Sequence, residues 1–131
     1  MSEQQRVLPA PPVNDESRAF WEAANQGRYL VKKCRACGEA HYYPRAICPF
    51  CQSTETKWSE GSGRGKVYTY SVMRRAPVPY AVAYVTLAEG PTVMTNLVDC
   101  DFDRIRIGQA VEVTFRKADN GQAIPMFRPA R

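Results

Sequence analysis

CRACGEAHYYPRAICPFC, residues 34–51, begins and ends with Cys-x-x-Cys. The pattern is Cys34-x2-Cys37-x10-Cys48-x2-Cys51. A Cys-x-x-Cys turn points two thiolates at one centre, and two such turns facing each other supply four sulfurs in a tetrahedron. Gly38 follows the first pair, where a positive φ is often needed, and Pro49 fixes φ inside the second. Tyr29, Val31, Tyr43 and Ile47 are the expected apolar lining of this small unit. A segment of about 30 residues has too little core of its own, so a metal must do what a core would otherwise do. Cys34, Cys37, Cys48 and Cys51 are therefore the expected metal ligands. Zinc is the favoured metal and iron the rival, since four thiolates suit both. Disulfides fit a secreted protein better, and a thioredoxin-like site needs one pair at a helix start rather than two facing pairs. With four cysteines bound, the metal has no open position, so this stretch is frame rather than catalyst.

The remaining chemistry-bearing residues are sparse. His41, the single histidine, falls between the cysteine pairs and is expected to be a solvated loop residue. Cys100 is the odd cysteine, expected as a small, half-buried thiol. Asp99, Asp101 and Asp103 lie in a turn-rich connection and read as caps and solvated charges. GSGRGK has neither phosphate-loop spacing nor a following helix. No catalytic constellation emerges.

Outward from the cysteines, NDESRAFWEAANQGRYL predicts a short amphipathic helix over 15–26. Asn14 or Asp15 would cap it, Phe20, Trp21 and Ala24 would share one face, and Gly27 would stop it. The Phe20–Trp21 pair either packs on its own chain or docks on a partner, which makes Phe20 and Trp21 candidate partner-docking residues. Residues 1–13, with Pro9, Pro11 and Pro12, read as a flexible arm. After the loop GSGRG come alternating segments: KVYTYSVMRR, YAVAYVTL, TVMTNLV, AVEVTFRK and AIPMF, the last with Pro125 suggesting an edge. In the first, Val67, Thr69, Ser71 and Met73 should face opposite to Tyr68, Tyr70, Val72 and Arg74. Five strands without long intervening helices predict a mainly β protein ending in a five-stranded OB-fold barrel.

Composition narrows the setting. Charged residues at 24% and hydrophobic ones at 44% are ordinary for a globular chain, and no apolar run approaches the roughly 20 residues needed to cross a bilayer. The polar, proline-rich start has no apolar signal-peptide core, which predicts a cytoplasmic protein with reduced thiols. The net charge of +5 suits anionic partners such as phosphorylated cofactors, nucleic acid or an acidic protein face.

The ordered set "FWEAANQGRYL", "CRACGEAHYYPRAICPFC", "SGRGKVYTYSVMRRAP", "TNLVDCD" and "RIGQAVEVTF" resembles the DUF35 family across about residues 17–128. The resemblance implies an N-terminal helix, a rubredoxin-like zinc ribbon and an OB-fold. It divides the chain into 1–27 (arm and helix), 28–57 (ribbon) and 58–131 (barrel). It further implies a non-catalytic accessory subunit of a thiolase-superfamily enzyme of the lipid-transfer-protein type, acting in acyl-CoA binding or channelling. Arg64 and Lys66 at the start of the first barrel strand, and Arg74 and Arg75 at its end, are the candidate acyl-CoA phosphate ligands. The alternative is a nucleic-acid-binding module that stacks bases on strand tyrosines such as Tyr68, Tyr70, Tyr80 and Tyr84.

Overall fold

A computed structural model describes residues 7–130. One helix, α1 (Arg18–Asn25), precedes eight strands: β1 (Leu30–Cys34), β2 (Ala40–His41), β3 (Thr56–Glu60), β4 (Arg64–Met73), β5 (Tyr80–Leu87), β6 (Thr92–Leu97), β7 (Ala110–Lys117) and β8 (Ala123–Pro129). The first three form a small sheet in the order β2-β1-β3, and the other five close a barrel in the order β4-β5-β6-β8-β7. That order is the five-stranded OB arrangement expected from the strand pattern.

α1 begins later than its capping signals suggest. Asn14 Oδ1 accepts a hydrogen bond from the Ser17 amide at 3.0 Å, which closes a turn before the helix instead of capping its first residue. The helix stops where Gly27 permits a φ of 75°: the Arg28 amide donates to Ala23 O and the Gly27 amide to Ala24 O, the paired bonds of a Schellman end. The described part of the N-terminal arm is tied down at Leu8, whose carbonyl accepts from the Asp119 amide at 2.9 Å; residues 1–6 of that arm lie outside the described residues.

One core joins the two sheets. Phe20 contacts Trp21, Tyr29 and Tyr42 edge-on, with ring centroids 5.0, 5.8 and 5.4 Å away, and Tyr29 meets Phe127 of β8 at 5.9 Å. The cluster therefore runs from helix through ribbon to barrel. This corrects the docking role considered for Phe20 and Trp21: they are 1% and 7% exposed. Their apolar face is already covered by their own chain. The Gln122 side chain adds a polar tie, donating to Trp21 O at 3.0 Å across the β7–β8 turn.

In the barrel, Val67, Val85 and Val93 sit side by side on β4, β5 and β6 and point inward. The expected strict alternation along β4 fails at one point. Register shifts between Val67 and Thr69, so Tyr68 is an extra residue turned outward, 65% exposed. Such a bulge re-aims the residues after it. Beyond it Thr69 and Ser71 lie opposite Tyr84 and Val82, while Val72 lies opposite the inward Ala81. β6 and β8 meet only at Leu97–Phe127, which leaves Pro125 beyond that single pairing.

Gly65 lies on β4 opposite Leu87 of β5, with no room for a side chain. A Cβ there would stand 2.6 Å from Val85 Cγ1 and 2.8 Å from the Thr86 carbonyl oxygen. Val85 is fully buried and the carbonyl belongs to the paired strand, so neither can retreat. Gly65→Ala is expected to destabilise by about 1–3 kcal/mol, as overpacking of a tight core does. A urea midpoint unchanged from the parent would refute this.

Candidate metal centre and its surroundings

Each cysteine pair sits on a turn built the same way. In the first, the Gly38 amide donates to Cys34 O and the Cys34 amide to Glu39 O, both at 2.9 Å. In the second, the Gln52 amide donates to Cys48 O and the Cys48 amide to Ser53 O, again at 2.9 Å. The turns need one left-handed residue each: Gly38 supplies φ 78°, and Gln52, without glycine's freedom, takes φ 64°. Nothing in the sequence marked Gln52 for this conformation.

The turns bring Cys34, Cys37, Cys48 and Cys51 together, with all four sulfurs within 4.8 Å of one another. Cys34 Sγ lies 3.6 Å from Cys51 Sγ, and Cys37 Sγ 3.7 Å from Cys48 Sγ. Four sulfurs at metal–sulfur distances of about 2.3 Å in a tetrahedron are roughly 3.8 Å apart, so the set fits one four-coordinate ion. The separations are far too long for disulfide bonds of about 2.05 Å. Backbone dipoles favour the charged form of the sulfur: amides of Cys37 and Ala36 hold the Cys34 thiol down at about 7 against the opposing effect of desolvation. The Phe50 amide lies 3.4 Å from Cys48 Sγ and donates to it. Cys34 and Cys48 are buried and Cys37 and Cys51 exposed, so the centre opens to solvent on one side. Cys100 is half-buried and not part of the group.

The surroundings differ from expectation in two places. Ile47, expected in the lining, is 53% exposed, and its neighbour Phe50 is 64% exposed. His41, expected in solvent, is the second residue of β2 and is 4% exposed, with neither ring nitrogen hydrogen-bonded. Burial pushes its pKa below the ordinary value; the Arg45 backbone offsets only part of this, and the Lys32 and Arg45 charges push the same way as burial. As pH falls through about 6.5 the unfolded chain gains a proton that the folded chain refuses until lower pH, so stability declines on the acid side. His41→Leu is expected to gain on the parent as pH falls through and below about 6.5, the ordinary histidine value. Parallel stability–pH curves for the two would show that the imidazole is not held neutral.

The four candidate phosphate ligands do not converge. Arg64 and Lys66 start β4, whereas Arg74 and Arg75 follow its end; seven residues of strand lie between Lys66 and Arg74, a length of about 26 Å along the chain. Arg74 is also engaged, donating to Asp103 Oδ1 at 2.6 Å. The aspartates serve as caps and ion-pair partners: Asp101 caps the short 3-10 turn Phe102–Arg104, and Asp99 pairs with Arg116 at 2.6 Å.

Comparison with known proteins agrees with this architecture. The family model described as "ChsH2, rubredoxin-like zinc ribbon domain" matches residues 21–56, and "ChsH2, C-terminal OB-fold domain" matches residues 58–116. A "DUF35 domain-containing scaffold protein" of Pyrococcus furiosus is 36% identical over 107 residues, covering 77% of this chain and 78% of that protein. The chain belongs to the DUF35 family. Another relative, "Probable enoyl-CoA hydratase alpha subunit" of Thermomonospora curvata, is 38% identical over 95% of this chain, which spans only 40% of that protein's length. "Benzoylsuccinyl-CoA thiolase subunit BbsA" of Geobacter metallireducens is 33% identical, covering 63% of this chain and 58% of that subunit. Among solved structures, "Ltp2-ChsH2(DUF35) aldolase" superposes with a TM-score of 0.83 at 37% identity, covering 93% of this chain and all of that one. Among the described residues of this DUF35 chain, no helix is long and apolar enough to cross a membrane.

Proposed function

We propose that this DUF35 chain is an accessory subunit of a thiolase-superfamily enzyme, supplying scaffold and contact surface rather than reacting groups. The observation that carries the reading is a ribbon whose four candidate ligands are all cysteine, on a chain whose relatives include a thiolase subunit and the ChsH2 component of an aldolase. A metal held by four thiolates has no position left for water or substrate, so it stabilises folding.

In this reading Cys34, Cys37, Cys48 and Cys51 hold zinc, residues 28–57 form the ribbon, residues 58–131 carry the barrel, and the arm and helix of 1–27 precede them. The +5 net charge and the basic ends of β4 favour an anionic neighbour. Where acyl-CoA is handled, its phosphates meet one end of β4, either Arg64 with Lys66 or Arg75, and a cytoplasmic site matches the thiolate ligands.

The test is affinity purification of the tagged chain from its native cells after nuclease treatment, with partners identified by mass spectrometry. Stoichiometric recovery of a thiolase-type subunit is expected. Recovery of nucleic-acid-associated proteins instead, together with salt-sensitive binding to single-stranded DNA, would replace this reading by the nucleic-acid one.

A further inference from the structure

We propose that the outer face of β4–β5–β6, centred on Tyr68, Tyr84 and Met94, is the surface on which the partner subunit docks. The inference rests on the accessory-subunit reading and adds the place and chemistry of contact. Tyr84 lies opposite Thr69 on one side and Met94 on the other, and the bulge sets Tyr68 outward beside Thr69. The three side chains therefore occupy one row across adjacent strands about 4.8 Å apart. They are 65%, 45% and 66% exposed for Tyr68, Tyr84 and Met94, while their neighbours on the inward rows fill the core. Scattered exposed apolar residues need no explanation, but a contiguous row on three paired strands does. The face continues toward half-buried Val82 and Met73, and at its other margin the Thr86 and Thr92 hydroxyls, bonded to each other at 3.0 Å, lie in register with Lys66.

Charge identifies the occupant. β5 and β6 contain no charged residue. The face is bordered along β4 by Arg64 and Lys66 at one end and Arg75 beyond the other, and none of these enters an ion pair among the described residues. The fitting surface has an apolar centre and acidic groups at its margin, on a folded protein. A nucleic-acid strand fits less well, because it needs cations along the aromatic row rather than only at its ends. Both edges of β5 are paired, so contact is made through side chains rather than by adding a strand there.

The experiment compares the parent with Tyr84→Glu, Met94→Glu and, as a control elsewhere on the surface, Ile107→Ser, in the same purification from native cells. All are first shown to have parental circular dichroism and metal content. Thiolase-type subunit recovered with the parent and with Ile107→Ser, but reduced by about tenfold or more with either face variant, supports the proposal. Because Lys66 and Arg75 border the face, Lys66→Glu with Arg75→Glu should weaken recovery further at low salt than at high salt. Undiminished recovery with both face variants overturns the docking face while leaving the accessory-subunit reading intact. No thiolase-type subunit even with the parent overturns both. The proposal also fails if the parent is a dimer that Tyr84→Glu converts to a monomer, or if Tyr84→Glu abolishes binding of a labelled single-stranded oligonucleotide. A second copy or nucleic acid would then be the occupant.

Discussion

Cys48→Ser is expected to abolish metal retention and unfold the ribbon, whereas Cys100→Ser keeps a full complement of one metal per chain. Cys48 is buried, its sulfur lies 3.7 Å from that of Cys37, and its amide and carbonyl close the second cysteine turn. Serine cannot provide the thiolate that a four-sulfur centre requires. Structural zinc contributes roughly 10–16 kcal/mol in isolated fingers, comparable to the whole stability of a typical domain of about 5–15 kcal/mol, so loss of such a metal would not be offset by other contacts in a three-stranded sheet. Elemental analysis of the purified chain reads the result directly. It also names the metal, and a visible spectrum gives a second reading, because zinc is d10 and colourless whereas a ferric tetrathiolate absorbs in the visible. Full metal content in Cys48→Ser, or a parent that folds with none, would remove the metal from the account of this ribbon.

Phe20→Ala is expected to cost about 3–5 kcal/mol, the usual loss for truncating a fully buried phenylalanine. The site cannot collapse easily, because the ring is held edge-on by Trp21, Tyr29 and Tyr42 from three directions. For a chain of this size the loss corresponds to a fall of about 10 °C or more in Tm. Since Tyr29 also meets Phe127 in the barrel, ribbon and barrel signals should shift together. Phe20→Leu retains much of the volume and should cost less. A decrease below about 1 kcal/mol in Phe20→Ala would contradict the burial, and separate shifts of ribbon and barrel would show that the aromatic cluster does not couple them.

These two sites differ in how far the sequence reveals them. The cysteine spacing is a local property: a Cys-x-x-Cys turn converges its own two sulfurs, and a short loop leaves the second pair little choice but to face the first. Strand positions were legible for a similar reason, since YAVAYVTL and AVEVTFRK carry period-two patterns that hold wherever the strand is placed, and both became strands with the expected limits. Gly27 ends α1 through a backbone preference that needs no neighbour.

The amphipathic pattern of α1 announced an apolar face without saying what covers it. Only the tertiary contacts decided that Tyr29, Tyr42 and the barrel do so, which removed Phe20 and Trp21 from the surface. His41 was misread for the same reason: a residue between two cysteine pairs looks like loop, yet pairing with Lys32 draws it into a sheet and out of water. The bulge at Tyr68 is a mismatch between two strands and cannot be seen in either alone, although it decides which tyrosines face outward. The sequence by itself determined the four-cysteine cluster, the strands and the helix stop, because these follow from spacing and backbone preference over a few residues. The folded chain decided burial, side-chain direction and the separation of the basic groups, because those are sums of contacts between residues far apart in sequence.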